Sequence, residues 1–485
     1  MPRGVERSDM SRSASVTPVA LERELAAIVG APNVLTSEED LVAYGFDGTW
    51  FASRPLVVVL PRTTAEIAAI HRLASRDRLA ITPRAMGSGL SGGSVPLAGG
   101  IVLATVRMNR IVEIDPVDRV VVTEPGVITA DLQRAVEALG LFYPPDPSSL
   151  RQSAIGGNVA ENAGGARCLK YGVTGDYVTA LEIVLPGGEI VRTGGRMVKN
   201  VTGYNLRALY TGAEGTLGTI TQITLRLLPK PRFSRTANAS FDRIEDAAAC
   251  VVAILGSGLV PTSIELMDRL TMQCVEGARP SGLPVDRDAL LLFAVDGNHE
   301  AVLAAELEAI ADIARAHGAS AIHVAASDAE SAQLWEARRA ISPALARRRP
   351  HKLGEDISMP LRSLVAMVAR IRAIAAEARL EIPIFGHAGD GNLHPNILCD
   401  RGDPEEMGRV VVAAREIFED AIELGGTLSG EHGIGLLKKQ FMELDLGPVA
   451  LDLMRGIKRA IDPLGIMNPG KIFPEPGGRG AFDLK

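Results

Sequence analysis

The chain has 485 residues, 46% of them hydrophobic and 22% charged, which is too long for one ordinary core and sets two or three globular domains. A net charge of −7 without a basic stripe excludes a nucleic-acid-binding surface, and no apolar run reaches the length of a membrane span. The four cysteines, Cys168, Cys250, Cys274 and Cys399, lack CxxC spacing, which excludes a zinc knuckle or an iron–sulfur ligand set and fits free thiols in a reducing, cytoplasmic setting.

Residues 1–17 are polar, have no apolar core and read as a disordered tail, not a signal peptide. Leu21, Leu25, Ile28 and Val29 recur at helical spacing, which predicts a helical stretch over 18–50. A short buried strand is expected between Pro55 and Pro61. Thr63-Thr64-Ala65-Glu66 then has capping-box spacing and opens a helix through Ile67, Ile70 and Leu73. A second strand at 80–83 delivers the chain into a glycine-rich loop, residues 84–94. Backbone N–H groups of such a loop can converge on a phosphate. The loop is neither a GxGxxG turn opening a helix nor a Walker A loop.

Strands follow at 101–103 and 120–122, and Thr129 starts a helix through Leu132, Val136 and Leu139. Residues 143–177 are rich in Gly, Pro, Ser and Asn and read as a long functional loop. Strands return at 180–185 and 218–228, and Leu228-Pro229-Lys230-Pro231 marks a domain boundary. Beyond it, strand-like pieces at 263–267 and 290–295 alternate with alanine-rich helices at 302–317 and 363–378, an α+β pattern. The run Arg347-Arg348-Arg349 reads as a solvated loop.

The sharpest chemistry lies in two glycine-flanked motifs, Gly386-His387-Ala388-Gly389-Asp390-Gly391-Asn392-Leu393-His394 and Ser429-Gly430-Glu431-His432-Gly433. His387 and His394 lie seven apart, which is not a helical zinc pair, but a turn followed by a strand over 392–398 can bring the rings together. Glu431 can supply a third, carboxylate ligand, which would leave open positions on a divalent metal, as a catalytic site requires. Asp390, between two glycines, reads as a turn residue in preference to a ligand.

The order of the parts resembles a known family. Loop 84–94, the run Ile155-Gly156-Gly157-Asn158-Val159-Ala160-Glu161-Asn162-Ala163-Gly164-Gly165 and the segment Thr211-Gly212-Ala213-Glu214-Gly215-Thr216-Leu217-Gly218 are similar to the FAD-binding domain of the vanillyl-alcohol oxidase/p-cresol methylhydroxylase superfamily. The two histidine motifs and Ile466-Met467-Asn468-Pro469-Gly470-Lys471 narrow the resemblance to the FAD-linked D-2-hydroxy-acid dehydrogenases, which include glycolate oxidase flavoprotein subunits and D-lactate dehydrogenases. The resemblance implies an α+β protein. A two-subdomain FAD-binding domain (18–231) precedes an α+β substrate or cap domain (232–425), and a C-terminal segment (426–485) returns to the flavin.

Position by position, the resemblance implies that Arg84, Gly87, Ser88, Gly89, Ser91 and Gly92 hold the pyrophosphate of FAD. Pro147, Ser148, Gly156, Asn158 and Gly164 would line the ribityl and ring path. Glu214, Gly218 and Ile220 would serve the adenosine end and ring wall, with Asn468 returning from the C-terminal segment. The first loop has no histidine for a covalent link, so dissociable FAD is expected. His387, His394 and Glu431 would bind zinc or a similar divalent ion such as Mn or Fe, and His432 would be the base. The mechanism implied is proton abstraction from the 2-hydroxyl with hydride transfer to flavin N5. Arg338 would bind the substrate carboxylate, with Arg339 as competitor, and Ser342 and Asn396 would contact the substrate.

D-2-hydroxyglutarate enzymes carry a lysine two residues before the Asp of the following strand motif; here Gly354 precedes Asp356 at that spacing and Lys352 is displaced. A small acid, glycolate or D-lactate, is therefore expected over D-2-hydroxyglutarate. An alkyl-dihydroxyacetone-phosphate-synthase-like lyase and a non-catalytic flavoprotein subunit are the other readings, and the metal trio with His432 argues against both. The acceptor implied is a quinone, a cytochrome or an iron–sulfur partner subunit. Membrane association through that partner and a homodimer are compatible with the sequence.

Overall fold

Three main sheets follow one another along the chain. The structure is a computed structural model and describes residues 17–475. The expected tail lies outside the described residues except for Thr17, whose hydroxyl accepts the Ala20 N–H and caps helix Pro18–Val29. That helix ends sooner than expected. Gly30 adopts φ 82° and Pro32 follows, so the chain turns through Ala31–Asn33 into strand Val34–Leu35 before a short helix, Glu38–Ala43. Helical spacing over 18–29 therefore does not extend to residue 50.

The first sheet has strand order Val34–Leu35, Val57–Val59, Ile101–Ala104, Ile81–Arg84, the last three parallel. Helix Thr64–Asp77 makes the crossover. Thr63 caps it by accepting the Glu66 N–H, whereas the Glu66 carboxylate accepts from the Arg62 N–H, one residue beyond the ideal capping box. The sheet delivers Arg84 and the glycine loop from the end of its edge strand.

The second sheet is antiparallel, ordered Ile111–Asp115, Val120–Thr123, Thr219–Arg226, Val178–Val184, Ile190–Gly194. The stretch 143–177 is not loop throughout. It contains helix Ile155–Glu161 and the short helices Cys168–Tyr171 and Thr174–Tyr177. Gly156 and Gly157 hide that first helix from a propensity reading, but close packing requires a glycine: a Cβ on Gly156 would stand 2.4 Å from Pro125 Cβ. Leu228–Pro229, at the expected boundary, pairs with Leu141–Phe142.

The third sheet has eight strands, in the order Ala319–Val324, Phe233–Phe241, Ala289–Gly297, Ser263–Asp268, Ile384–His387, Asn392–Cys399, His351–Gly354, with Ile357–Ser358 paired beside Asn392–Cys399. Its strands alternate between two faces. Ile264, Leu266, Ile384 and Leu393 join the core formed with helices Ile244–Gly256, Glu300–Ala316, Leu364–Ala378 and Pro404–Glu423. Met267, Phe385 and Leu398 belong to a separate cluster with helices Arg269–Ala278 and Ile341–Arg348. No helix among the described residues is long and apolar enough to cross a membrane.

Candidate functional site

The predicted turn and strand form a β-hairpin. Strand Ile384–His387 pairs with Asn392–Cys399 in a register that sets Phe385 opposite His394 and His387 opposite Asn392. Asp390 sits in the one-turn 3-10 segment Ala388–Asp390 that joins them, and Gly391 follows at φ 78°. Asp390 accepts the Asn392 N–H at 3.3 Å, the turn role expected for it.

His387 and His394 are each 4% exposed. Their Nε2 atoms both lie 3.3 Å from the same oxygen, Oε1 of Glu431. Four ligands about 2.0–2.1 Å from a tetrahedral ion stand roughly 3.3 Å from one another, so the trio has the spacing of a divalent-ion site. Gly164 makes room for it, since a Cβ there would fall 2.7 Å from Glu431 Oε2. Burial alone would push the His387 pKa down, yet Glu265 and Glu431 carry it well above the ordinary imidazole value. Burial would likewise raise the Glu431 carboxyl, but His387 and His394 hold it well below the usual carboxylate range. The Glu265 and Glu431 carboxylates thus make the surroundings of the imidazoles negative where an ion would sit, which suits a divalent cation.

Asp356, fully buried, organises the other side. Its Oδ2 accepts from Ser429 Oγ at 2.7 Å, the Glu431 N–H at 3.0 Å and the His432 N–H at 2.9 Å. Its Oδ1 accepts from Asn392 Nδ2 at 2.7 Å and lies 3.6 Å from His394 Nδ1. Lys438, 1% exposed, stands 3.6 Å from Oδ2. Asp356, His394 and His432 are close enough together to suggest a second ion. Asp356 Oδ2, which faces His432, has its acceptor capacity filled by those three donors, so this carboxylate fixes the Glu431–His432 backbone and sets a negative charge beside both rings. The His394 and His432 rings stack at 5.1 Å. Burial pushes His432 down to about 4, against the pull of Asp356, so its imidazole is unprotonated at neutral pH.

His394, Glu431 and His432 face one cavity of about 1240 Å³, larger than the roughly 300–1,000 Å³ that a drug-sized ligand takes, and His387 and Asp356 stand behind them. Arg84, Gly87, Ser88, Gly89, Pro147, Ser148, Gly156, Asn158, Glu214, Gly218 and Ile220 line one part; Arg338, Ser342, His394, Asn396, Glu431 and His432 line the other. Buried acceptors without partners, Asp47 Oδ2 and Glu161 Oε2, stand in the glycine-rich part, where the hydroxyls of a dinucleotide supply donors. The cradle fits FAD.

Several predicted residues are fixed by contacts within the wall or behind it. Arg84 is 8% exposed and donates to the Phe46 carbonyl at 2.6 Å and Ser94 Oγ at 3.3 Å. Its guanidinium underlies Gly87, whose φ of 66° and lack of a Cβ permit the contact. Ser91 and Gly92 pack against Leu436, with the Ser91 carbonyl accepting the Leu436 N–H at 2.8 Å. Asn158 donates to Thr129 Oγ1 at 2.7 Å. Asn468 is 2% exposed and donates to the carbonyls of Gly93 at 2.8 Å and Glu214 at 2.7 Å.

Arg338 is 5% exposed and ion-paired to buried Glu265 at 2.6 Å. Arg339 also lines the cavity and pairs more loosely with Glu336, at 3.5 Å. Lys352, displaced in sequence, nevertheless lines the cavity and donates to Ser342 Oγ at 2.6 Å. Burial lowers its pKa to about 8. Glu265, Asp356 and Lys438 are site residues that the two histidine motifs do not mark. A lone acid in the apolar strand Ser-Ile-Glu-Leu-Met was the available signal for Glu265.

Comparison with known proteins places the chain in a family. Residues 55–194 match the FAD binding domain, and residues 230–472 match the C-terminal domain of FAD linked oxidases. The chain belongs to the FAD-linked oxidase family. This FAD-linked oxidase is 44% identical to the glycolate oxidase subunit GlcD of Bacillus subtilis (strain 168), covering 93% of this chain and 96% of that one. It is 35% identical to a D-lactate dehydrogenase of Anaerostipes hadrus (94% and 98% covered). It is also 35% identical to a D-2-hydroxyglutarate dehydrogenase of Stutzerimonas stutzeri (strain A1501), with 94% and 100% covered. The crystal structure of p-cresol methylhydroxylase with substrate bound shares the fold at a TM-score of 0.78 and 19% identity, over 96% of each chain. The oxidase is accordingly an FAD-dependent oxidoreductase with the p-cresol methylhydroxylase type of fold.

Proposed function

We propose that this chain oxidises a small D-2-hydroxy acid, glycolate or D-lactate, to the 2-oxo acid, using non-covalent FAD and a divalent ion, zinc by its ligand chemistry. The observation that carries the reading is the meeting of His387 Nε2 and His394 Nε2 on one Glu431 oxygen at the wall of the glycine-lined cavity. When bound, FAD supplies the hydride acceptor for the substrate C2 hydrogen, and the ion held by His387, His394 and Glu431 supplies a Lewis acid at the substrate hydroxyl.

The chain's own residues do the rest. Arg338 takes the substrate carboxylate at the cavity wall, and Asn396, which lines the same cavity, orients the acid. His432 takes the hydroxyl proton at Nε2, because its Nδ1 faces Asp356 and its imidazole is held unprotonated. The alcohol thus gives one proton to His432 and loses its C2 hydrogen with the bonding pair. Electrons then leave to a quinone, a cytochrome or an iron–sulfur partner subunit; GlcD's description as a subunit supports a partner.

Lys352 favours a second reading. It has no ion-pair partner among the described residues, faces the cavity, and suits a substrate with a second anionic group such as D-2-hydroxyglutarate. The test is anaerobic addition of glycolate, D-lactate, L-lactate and D-2-hydroxyglutarate to the purified flavoprotein, followed by flavin absorbance. Bleaching led by glycolate or D-lactate supports the first reading, and bleaching led by D-2-hydroxyglutarate replaces it with the second. Bleaching by none of them rejects both.

A further inference from the structure

Glu265 lies in the middle of strand Ser263–Asp268 and is 0% exposed. A carboxylate so far from water persists only when it is paired and hydrogen-bonded. Both of its partners belong to the site. Oε1 accepts from His387 Nδ1 at 2.7 Å, and Oε2 accepts from Arg338 Nε at 2.6 Å. The strand pairing explains the first contact: Met267 is opposite Phe385 and Leu266 opposite Gly386, so the same register carries Glu265 to His387. The second contact comes from helix Asp328–Arg339, whose Arg338 guanidinium lies over the Phe385 ring at 5.2 Å.

We infer that Glu265 is a positioning residue that couples the substrate-binding arginine to the metal-binding histidine, so that one carboxylate sets the spacing between the two anchors of a 2-hydroxy acid. The inference rests on the roles proposed above for Arg338 and His387. Because His387 gives Nδ1 to Glu265, Nε2 is the ring atom left to face Glu431 and the position of the ion. Because Arg338 gives Nε to Glu265, its guanidinium plane is fixed at the cavity wall. A 2-hydroxy acid presents its hydroxyl and carboxylate on adjacent carbons, so both anchors must keep one separation. A shared carboxylate ties them to the same point.

Glu265→Gln tests the coupling. The amide keeps the size but has one acceptor oxygen, and its NH2 opposes either the His387 N–H or the Arg338 N–H. The measurements are competitive Zn²⁺ titration of the FAD-loaded protein and the KM for the acid that bleaches it best. We expect a 10–100-fold loss of Zn²⁺ affinity together with a KM raised about tenfold or more, with FAD content unchanged. Arg338→Lys is expected to raise KM alone.

Glu265→Gln that binds Zn²⁺ and acid like the wild type overturns the inference. So does a loss of Zn²⁺ affinity with KM unchanged, which would leave Glu265 serving His387 alone. Should unpaired Arg338 prevent Glu265→Gln from folding, Glu265→Gln with Arg338→Met removes both charges. That protein is expected to bind Zn²⁺ 10–100-fold more weakly than Arg338→Met alone, and equal affinity overturns the coupling. Wild-type protein that neither binds Zn²⁺ nor is bleached by an acid removes the functional reading and this inference together. Unaltered Glu265→Gln beside a competent wild type removes the inference alone.

Discussion

Adjacent residues Glu431 and His432 have opposite assignments, and substitution separates them. His432→Ala is expected to slow anaerobic flavin bleaching by about 10²–10⁴-fold, the usual weight of a general base, while Zn²⁺ affinity is retained. Glu431→Gln is expected to lose both, because the oxygen 3.3 Å from two imidazoles loses its charge. Stopped-flow reduction and metal titration read the two effects, and a His432→Ala protein with wild-type bleaching would remove it as the base. Lys352→Met gives a third outcome: a KM for D-2-hydroxyglutarate raised tenfold or more with glycolate unchanged, by steady-state kinetics, if its ammonium meets a second carboxylate. The motif positions His387, His394, Glu431 and His432 were legible because glycines flank them and imidazoles are scarce in the chain. Glu265 and Asp356 were not, because an acid in a strand acquires its meaning from the neighbouring strand and from burial, and neither is local in sequence.

At the level of elements, periodicity found fewer than half of the nineteen described strands and two of the four helices packed on the third sheet's main core, Glu300–Ala316 and Leu364–Ala378. It failed where glycines serve packing, as in helix Ile155–Glu161, and where Gly30 and Pro32 stop a helical pattern. One helix contact makes a pH prediction. His71, on helix Thr64–Asp77, is fully buried, with Nδ1 2.8 Å from the Leu185 carbonyl and Nε2 3.0 Å from Thr219 Oγ1. The ring joins the helix to the strands of the second sheet as a neutral imidazole. Burial lowers its pKa to about 4. In the unfolded chain the ring protonates near pH 6.5, so the unfolded state binds more protons between pH 6.5 and 4. The neutral ring's contribution is therefore complete above pH 6.5 and is lost as pH falls toward 4, by up to about 3 kcal/mol. The urea midpoint of the wild type should fall more steeply across that window than that of His71→Gln. Parallel curves would show that His71 does not report the acid limb.

Across the whole molecule, the flavin cavity is assembled from segments far apart in the chain, and Asn468 closes the set. Its backbone N–H donates to Ile81 O at 2.7 Å and the Ile81 N–H donates to Ile466 O at 2.8 Å, which adds the C-terminal segment to the edge of the first sheet. Its side chain joins the carbonyls of Gly93 and Glu214, loops separated from it by 375 and 254 residues. Asn468→Ala leaves both buried carbonyls short of a donor, at a cost of about 1–3 kcal/mol each. The glycine loop and the Glu214 loop are then no longer held at one spacing. Since about 1.4 kcal/mol is tenfold in affinity, FAD should bind roughly ten-fold or more weakly, even though Asn468 does not line the cavity. Apoprotein made by acid release of the flavin, which itself requires that FAD be non-covalent, is titrated with FAD by fluorescence quenching. A Kd equal to the wild type's would mean that the two loops hold their spacing without the C-terminal segment, and that its return to the first sheet serves stability instead of the cofactor.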